Sequence, residues 1–221
     1  MESLNTLKLL LFDFDGVLAD SNNVHLEVCR RSLREAGITR EISDDELTYH
    51  FGKPYLVVLR EVMGSDFTPK RLEKASRLQL RLLYSDWFMQ QITLVDGTEN
   101  LLSELKEKGF KVGVASGNDR RFLKKALSHL GIDDFFDVVV SSDDVRNSKP
   151  EPDMILKATG ALGVREGETV YIGDSQNDII AAKKAGVKSI FVLSGILKKE
   201  KAKELGPDLI VDSIRDIRGF L

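Results

Sequence analysis

Two aspartates, Asp13 and Asp15, stand directly behind the apolar run Leu9–Phe12 and are followed by Gly16. Residues two apart in a strand point to the same side, so both carboxylates would leave the end of a buried strand together. Carboxylates that close repel each other unless a cation or a shared proton relieves them. Mg²⁺ prefers oxygen ligands, so the pair favours metal-assisted phosphoryl transfer. Aspartate and glycine also end strands simply because they suit turns and caps. Further segments of the sequence must decide between these two explanations.

A second polar segment, Ser116-Gly117-Asn118, lies between the apolar run 111–115 and a helical pattern. The Ser116 hydroxyl and the neighbouring N–H groups could hold a phosphoryl oxygen there, because helix N-termini favour anions. Gly117 and Asn118 are therefore candidate substrate-binding residues. The alternative is that Ser116, Asn118 or Asp119 only caps the helix.

Charged residues also occupy two loop positions in the C-terminal half. Lys149 begins the segment Lys-Pro-Glu-Pro, whose stiff backbone would hold the ammonium against a carboxylate nucleophile and a phosphoryl group. A solvated surface lysine is the alternative. Asp174 follows the apolar run 169–173 and Asp178 comes four residues later, so both could reach one metal ion. Helix capping, for which Asn177 would serve, is the competing explanation.

In their order along the chain, the four segments DxDG, serine, Lys-Pro and GDSxxD resemble the signature of the haloacid dehalogenase superfamily of phosphotransferases. The resemblance runs from Asp13 to Asp178. It implies that Asp13 is a nucleophile that forms an aspartyl-phosphate. It further implies that Asp15 is the general acid and then the base, while Ser116 and Lys149 bind the phosphoryl group.

The same resemblance implies Mg²⁺ as the cofactor. The ligands would be a carboxylate oxygen of Asp13, the backbone carbonyl of Asp15 and the carboxylate of Asp174. Asp178 would orient this shell or ligate the ion itself. Gly16 would permit the tight exit from the strand and lie beside the substrate.

Strand-like segments alternate with helical patterns through much of the chain, which is typical of a parallel sheet covered by helices. We predict an α/β fold: a Rossmann-like parallel sheet core flanked by helices, with an inserted α-helical cap domain. The core would comprise residues 1–17 and 93–221, and the cap residues 18–92, with hinges near 18–21 and 92–96. Ligands of such sheets collect at the carboxyl ends of the strands. The predicted strands are residues 8–14, 110–115, 137–141, 169–173, 189–193 and 209–211.

The predicted cap lacks convincing strands, and the resemblance implies that it closes over the aspartates and selects the leaving group. Its loop around His50 and Lys53 is the candidate for substrate contact. Lys53 would meet an anionic substrate, and simple solvent exposure is the alternative. His25 could face the cleft or be an ordinary packed histidine. The predicted helices of the cap are residues 22–36, 44–50, 54–63 and one that Thr68-Pro69 begins.

Composition excludes several classes of protein. The 221 residues include 32 lysines and arginines against 35 acids, for a formal charge of −3. They contain no long basic run with aromatics, so nucleic acid is not an expected partner. Cys29 is the only cysteine, which rules out an internal disulfide. No apolar run reaches membrane-spanning length, and no secretory signal is visible. We therefore expect a cytoplasmic protein without membrane association, as a monomer or homodimer.

The expected function is Mg²⁺-dependent hydrolysis of a small phosphate monoester, as in phosphoglycolate phosphatase and related enzymes. A β-phosphoglucomutase-like phosphotransferase is an alternative, although that group usually lacks the acid that Asp178 supplies here. Dehalogenases lack the aspartate that Asp15 supplies. A non-catalytic phospholigand-binding regulatory module is the remaining alternative, and the intact acids and Lys149 weigh against it. Phosphoglycolate, sugar phosphates, nucleoside monophosphates and pyrophosphate all remain candidate substrates.

Overall fold

The chain forms two compact units in a computed structural model that describes residues 6–49, 55–195, 197 and 199–220. One unit comprises Met1–Asp20 with Thr93–Leu221, and the other Ser21–Ile92. The first contains a sheet with flanking helices, and the second is helical. The cap role of residues 18–92 stays a prediction.

Eight strands lie in the described residues. They are β1 (Leu9–Phe12), β2 (Ala19–Asp20), β3 (Thr93–Leu94), β4 (Lys111–Ala115), β5 (Val138–Val140), β6 (Thr169–Gly173), β7 (Lys188–Val192) and β8 (Leu209–Val211). Six of them form a parallel sheet in the order β5-β4-β1-β6-β7-β8. The predicted α/β fold with a Rossmann-like parallel sheet is confirmed.

Ten α-helices lie in the described residues, and none of these is both long and apolar enough to cross a membrane. They are α1 (Asn22–Glu35), α2 (Asp44–Thr48), α3 (Tyr55–Met63), α4 (Pro69–Leu83), α5 (Asp86–Gln91), α6 (Thr98–Glu107), α7 (Arg120–His129), α8 (Asp153–Leu162), α9 (Gln176–Ala185) and α10 (Lys199–Leu205).

The central strand β1 shows why the sheet forms. All four of its residues are apolar and fully buried, as expected for a parallel strand covered on both faces. Its neighbours on either side are β4 and β6. On one face, Leu9 and Leu11 belong to a core cluster that includes Ala181 and Ala182 of α9. Such small side chains allow a helix to pack closely on the sheet.

The helical unit has its own apolar core, which includes Leu33 of α1, Leu47 of α2 and Leu59 of α3. Helix α4 begins as predicted, because the Thr68 side chain accepts a hydrogen bond from the Arg71 N–H (3.2 Å) and proline occupies the first turn. Helix α2 ends at Thr48, two residues short of the predicted end.

A short antiparallel ladder between β2 and β3 was not predicted from the sequence. It pairs Ala19 with Leu94 and Asp20 with Thr93, within the segments expected to be hinges. Two-residue strands are too short to show an alternating pattern, so sequence periodicity does not detect them. The ladder holds the two chain segments together where the chain leaves and re-enters the sheet-containing unit.

Gly113 in β4 tests how tightly the sheet core is packed. A Cβ atom there would lie 2.6 Å from Cγ1 of Val138 and 2.9 Å from Cδ1 of Leu11. Gly113→Ala should therefore lower the free energy of unfolding by about 1–3 kcal/mol through overpacking. Urea denaturation measures the loss. Gly160→Ala in α8 is the matched control: apart from its chain neighbours and its own helix backbone, no atom of the described residues lies within 4 Å of the added methyl group. Stability should therefore hold or rise by roughly 0.5–1 kcal/mol. Equal stability of the two variants would contradict this packing.

Candidate active site

Three of the predicted site residues lie at one edge of the sheet. Asp13, Ser116 and Asp174 directly follow β1, β4 and β6, and these strands are neighbours. Backbone hydrogen bonds extend the ladder to the first two: the Asp13 N–H donates to the Ile172 carbonyl (2.8 Å) and the Ser116 N–H to the Val140 carbonyl (3.0 Å). The parallel sheet therefore delivers these side chains to its carboxyl edge, where ligands of open α/β sheets bind.

Lys149 joins this group from the loop before α8. Its ammonium lies 2.8 Å from Oδ1 of Asp13, 2.7 Å from Oδ1 of Asp178 and 3.1 Å from the Tyr171 hydroxyl. Its side chain is only 8% exposed, so the interpretation as a solvated surface lysine is wrong. Burial works against the charged form, but the two carboxylates outweigh it and raise the pKa of Lys149 well above its usual value. Asp13, Asp178 and Tyr171 thus provide one acceptor for each of the three ammonium protons.

Asp178 is fully buried and uses both carboxylate oxygens within the protein. Oδ1 accepts from Lys149 and lies 3.3 Å from the Tyr171 hydroxyl. Oδ2 accepts from the backbone N–H (2.9 Å) and hydroxyl (2.6 Å) of Ser175. Ser175 and Asp178 thus form a capping box at the start of α9. Helix capping, the competing explanation for this loop, therefore applies to Asp178, with Ser175 rather than Asn177 as the N-cap residue. Asp178 connects the helix terminus to the buried ammonium.

Asp13, Asp174 and Asp178 present carboxylate oxygens that all lie within 4.8 Å of one another. Burial raises the pKa of Asp13 to about 7, with repulsion from Asp178 adding to the effect and Lys149 opposing it. Burial also raises the pKa of Asp174 well above its usual value, and Asp178 and Asp13 add to this shift. The raised pKa values show that one ammonium does not balance three carboxylates, and a bound cation would favour their ionised forms. Mg²⁺ takes oxygen ligands, so these carboxylates form a donor set that fits it. Asp178 already uses both oxygens within the protein, so the carboxylates of Asp13 and Asp174 are the better candidates to hold the ion.

Close backbone packing fixes Asp174. The loop after β7 brings Gly195 so near that a Cβ atom there would lie 1.9 Å from Oδ2 of Asp174. In the same loop, the Ser194 hydroxyl donates to the carbonyl of Gly16 (2.8 Å). Gly16 itself has a positive φ of 73°, which favours glycine, and this agrees with the tight turn predicted there. Ser194 and Gly195 are not among the residues predicted from the sequence, although their place two and three residues after β7 was a usable signal.

In the segment after β4, one residue caps the following helix and two others belong to the site. Asp119 caps α7 by accepting from the Phe122 N–H (2.9 Å), so neither Ser116 nor Asn118 is needed for that role. Both are buried. The Asn118 side-chain amide donates to Oδ2 of Asp15 (2.5 Å) and to the Ser116 hydroxyl (3.1 Å). Gly117 lies between them in the chain, and a Cβ atom there would lie 3.9 Å from Oγ of Ser148.

Three further candidate residues, His25, His50 and Lys53, come from the predicted cap. His50 and Lys53 lie outside the described residues, and their roles stay predictions. His25 is buried within the helical unit, with Nδ1 3.2 Å from the Tyr55 hydroxyl and its ring edge-on to Phe88 at 5.0 Å. These contacts are those of a packed histidine.

Comparison with known proteins identifies the family. The model of the haloacid dehalogenase-like hydrolases matches residues 10–192, which include all four signature segments. The chain belongs to this family. Two relatives of this hydrolase are pyrophosphatase PpaX of Halalkalibacterium halodurans (29% identical, covering 96% of this chain and 95% of the relative) and phosphoglycolate phosphatase of Colwellia psychrerythraea (27%, covering 97% and 96%). A haloacid dehalogenase-like family hydrolase from Streptococcus pneumoniae has the same fold (TM-score 0.84, 18% identity, covering 98% of this chain and 99% of that chain).

Gly195→Ala tests the arrangement around Asp174. The new methyl group would collide with the carboxylate and displace it, so the dissociation constant for Mg²⁺ should rise by roughly ten- to a hundredfold. Isothermal titration with Mg²⁺ measures the change. Gly160→Ala is again the control and should bind Mg²⁺ as the wild type does. Unchanged affinity in Gly195→Ala would contradict the placement of Asp174 as a ligand.

Tyr171→Phe tests the hydrogen bonds around Lys149. The Tyr171 hydroxyl also donates to the Ala115 carbonyl (2.8 Å), so its loss leaves a buried carbonyl without this donor and the ammonium without one acceptor. The free energy of unfolding should fall by about 1–3 kcal/mol, as measured in urea. Tyr49→Phe, at a residue that is 79% exposed, should change stability by less than about 0.5 kcal/mol. If the two variants are equally stable, the Tyr171 hydroxyl does not stabilise the site.

Proposed function

We propose that this hydrolase is a Mg²⁺-dependent phosphatase that cleaves small phosphate monoesters through an aspartyl-phosphate on Asp13. The observation that carries the proposal is the buried ammonium of Lys149 between Asp13 and Asp178, at distances of 2.8 and 2.7 Å. The ammonium holds the carboxylate of Asp13 in place and lowers its pKa, which opposes the rise that burial causes and favours the ionised form. An ionised carboxylate is the nucleophile that phosphorus requires.

The reaction would proceed in two steps. A carboxylate oxygen of Asp13 attacks phosphorus, the bond to the leaving oxygen breaks, and Asp15 donates the proton that the leaving oxygen needs. Asp15 then takes a proton from water, which attacks the same phosphorus and releases phosphate and free Asp13. Mg²⁺ held by Asp13 and Asp174, with the Asp15 carbonyl, would neutralise charge on the carboxylates and the phosphoryl oxygens.

Lys149 has a distinct role in each state of this cycle. When Asp13 becomes an acyl phosphate it loses its charge, so the ammonium proton that faces Oδ1 of Asp13 can turn to a phosphoryl oxygen. Asp178 and Tyr171 accept the other two protons throughout. The ammonium is therefore held in advance where negative charge develops, which is the arrangement that lowers a barrier most effectively. Ser116 would donate its hydroxyl to the same phosphoryl group.

The substrate class is argued from the relatives. The names pyrophosphatase and phosphoglycolate phosphatase belong to relatives that match nearly the whole chain. Phosphoglycolate is a phosphate monoester and pyrophosphate a phosphoanhydride, and each carries a small anionic leaving group on one phosphoryl unit. We extend this class to the present chain, with phosphoglycolate and pyrophosphate as the first substrates to assay. The role of Lys53 in binding such an anion stays a prediction.

Asp13→Asn tests the function and the nucleophile together. Wild-type protein should release phosphate from para-nitrophenyl phosphate with Mg²⁺ and lose this activity in EDTA. Asp13→Asn should reduce kcat by at least about 10³-fold, because the covalent route is removed. The matched control, Asp134→Asn, changes an exposed aspartate and should leave kcat unchanged.

The same preparation separates the alternative functions. A panel of phosphoglycolate, pyrophosphate, sugar phosphates and nucleoside monophosphates gives the preferred leaving group from kcat/KM. With β-glucose 1-phosphate, a phosphatase releases free phosphate, whereas a mutase yields an isomer. If the wild type hydrolyses none of these compounds in Mg²⁺, the phosphatase proposal is wrong. A phospholigand-binding role then replaces it unless β-glucose 1-phosphate is isomerised.

A further inference from the structure

We propose that Asn118 is a positioning residue that holds Asp15 for proton transfer to the leaving group. This differs from the substrate-binding role expected from the sequence. The inference rests on the proposed function and adds a residue to its acid–base step. It comes from one contact that joins residues 103 positions apart: the Asn118 amide donates to Oδ2 of Asp15 at 2.5 Å.

The amide of Asn118 is used fully in this arrangement. A side-chain amide has two N–H protons, and Nδ2 makes two hydrogen bonds, one to Asp15 and one to the Ser116 hydroxyl (3.1 Å). An asparagine with both protons engaged has none left for a phosphoryl oxygen. Its remaining polar atom is an oxygen, which would repel a phosphoryl group.

The backbone around Asn118 is also fixed, which a positioning residue requires. Its N–H lies 3.3 Å from Oγ of Ser116. Its carbonyl accepts from the backbone N–H (2.9 Å) and the hydroxyl (3.1 Å) of Ser142. The residue is 7% exposed. Asp15 is more exposed than Asn118, so the asparagine is the fixed partner and the aspartate is the group that it orients.

This contact has a chemical consequence for the two oxygens of Asp15. Oδ2 accepts from the amide, so the transferable proton is carried by Oδ1. Because the proton stays on one oxygen, the carboxyl group does not have to rotate into the right orientation before each transfer. Asn118 therefore acts on the leaving group only through Asp15. Loss of the Asn118 side chain should slow phosphoryl transfer when the leaving oxygen needs a proton. It should not slow transfer when the leaving group departs as a stable anion.

The test compares leaving groups. Wild type and Asn118→Ala are assayed with phenyl phosphate, whose leaving oxygen needs protonation, and with dinitrophenyl phosphate, whose does not. The value of kcat/KM covers the steps through transfer to Asp13, so the later hydrolysis does not enter. We expect kcat/KM to fall roughly ten- to a hundredfold for phenyl phosphate and to stay within about twofold for dinitrophenyl phosphate. Asn100→Ala, at an exposed asparagine of α6, should leave both values unchanged.

A double-mutant cycle identifies the route of the effect. In the Asp15→Asn background, adding Asn118→Ala should cost no more than about a further twofold with phenyl phosphate, because residues that act as a unit are not additive. If the losses in kcat/KM of the two single variants instead multiply in the double variant, Asn118 contacts the substrate directly and the proposal is overturned. Asn118→Leu, which fills similar space without donors, repeats the comparison if the alanine variant unfolds.

The remaining outcomes separate this inference from the proposed function. If wild type hydrolyses both esters and Asn118→Ala loses equally on both, the inference is overturned and the phosphatase proposal stands. If the wild type hydrolyses neither ester in Mg²⁺, both are overturned. A selective loss on phenyl phosphate together with non-additivity supports both.

Discussion

The candidate site depends on one buried ion pair network, in which the ammonium of Lys149 lies between the carboxylates of Asp13 and Asp178. Removing such charges from water costs several kcal/mol for each ion, so the network persists only because each charge has close partners. Taking away the ammonium would leave three carboxylates with no positive charge between them, although one oxygen of each lies within 4.8 Å of the others. Even with the ammonium, three carboxylates face a single positive charge, which makes the site suitable for a divalent cation.

The fold satisfies this constraint through the edge of a parallel sheet. Strands β1 and β6 end just before Asp13 and Asp174, and the capping box at the start of α9 fixes Asp178 beside them. Two glycines, which lack a side chain, allow the backbone to approach these carboxylates closely. A Cβ at Gly173 would lie 2.3 Å from Cβ of Asp178, and one at Gly195 1.9 Å from Oδ2 of Asp174. The carboxylates are thus held by packing as well as by hydrogen bonds.

The sequence predicted the main strands and the residues that follow them, because buried parallel strands are nearly continuous apolar runs with polar ends. It did not predict the contacts of individual side chains. Tyr171 reads as an ordinary strand residue, yet its hydroxyl reaches Lys149, 22 residues away. Asn118 is predicted from its place in the chain to bind substrate, and the contact of its amide with Asp15 becomes visible only in the folded structure. Tertiary packing decides which side chains from distant segments contact each other, and local patterns in the sequence do not predict those contacts.

The most direct test of the account is to identify the residue that becomes phosphorylated during turnover. Asp15→Asn protein, in which hydrolysis of the intermediate lacks its base, is mixed with dinitrophenyl phosphate and Mg²⁺, quenched in acid, digested and analysed by mass spectrometry. We predict that one phosphoryl group is attached at Asp13 and that the Asp13→Asn variant carries none. A phosphoryl group on another residue, or continued release of dinitrophenol by the Asp13→Asn variant, would contradict the account.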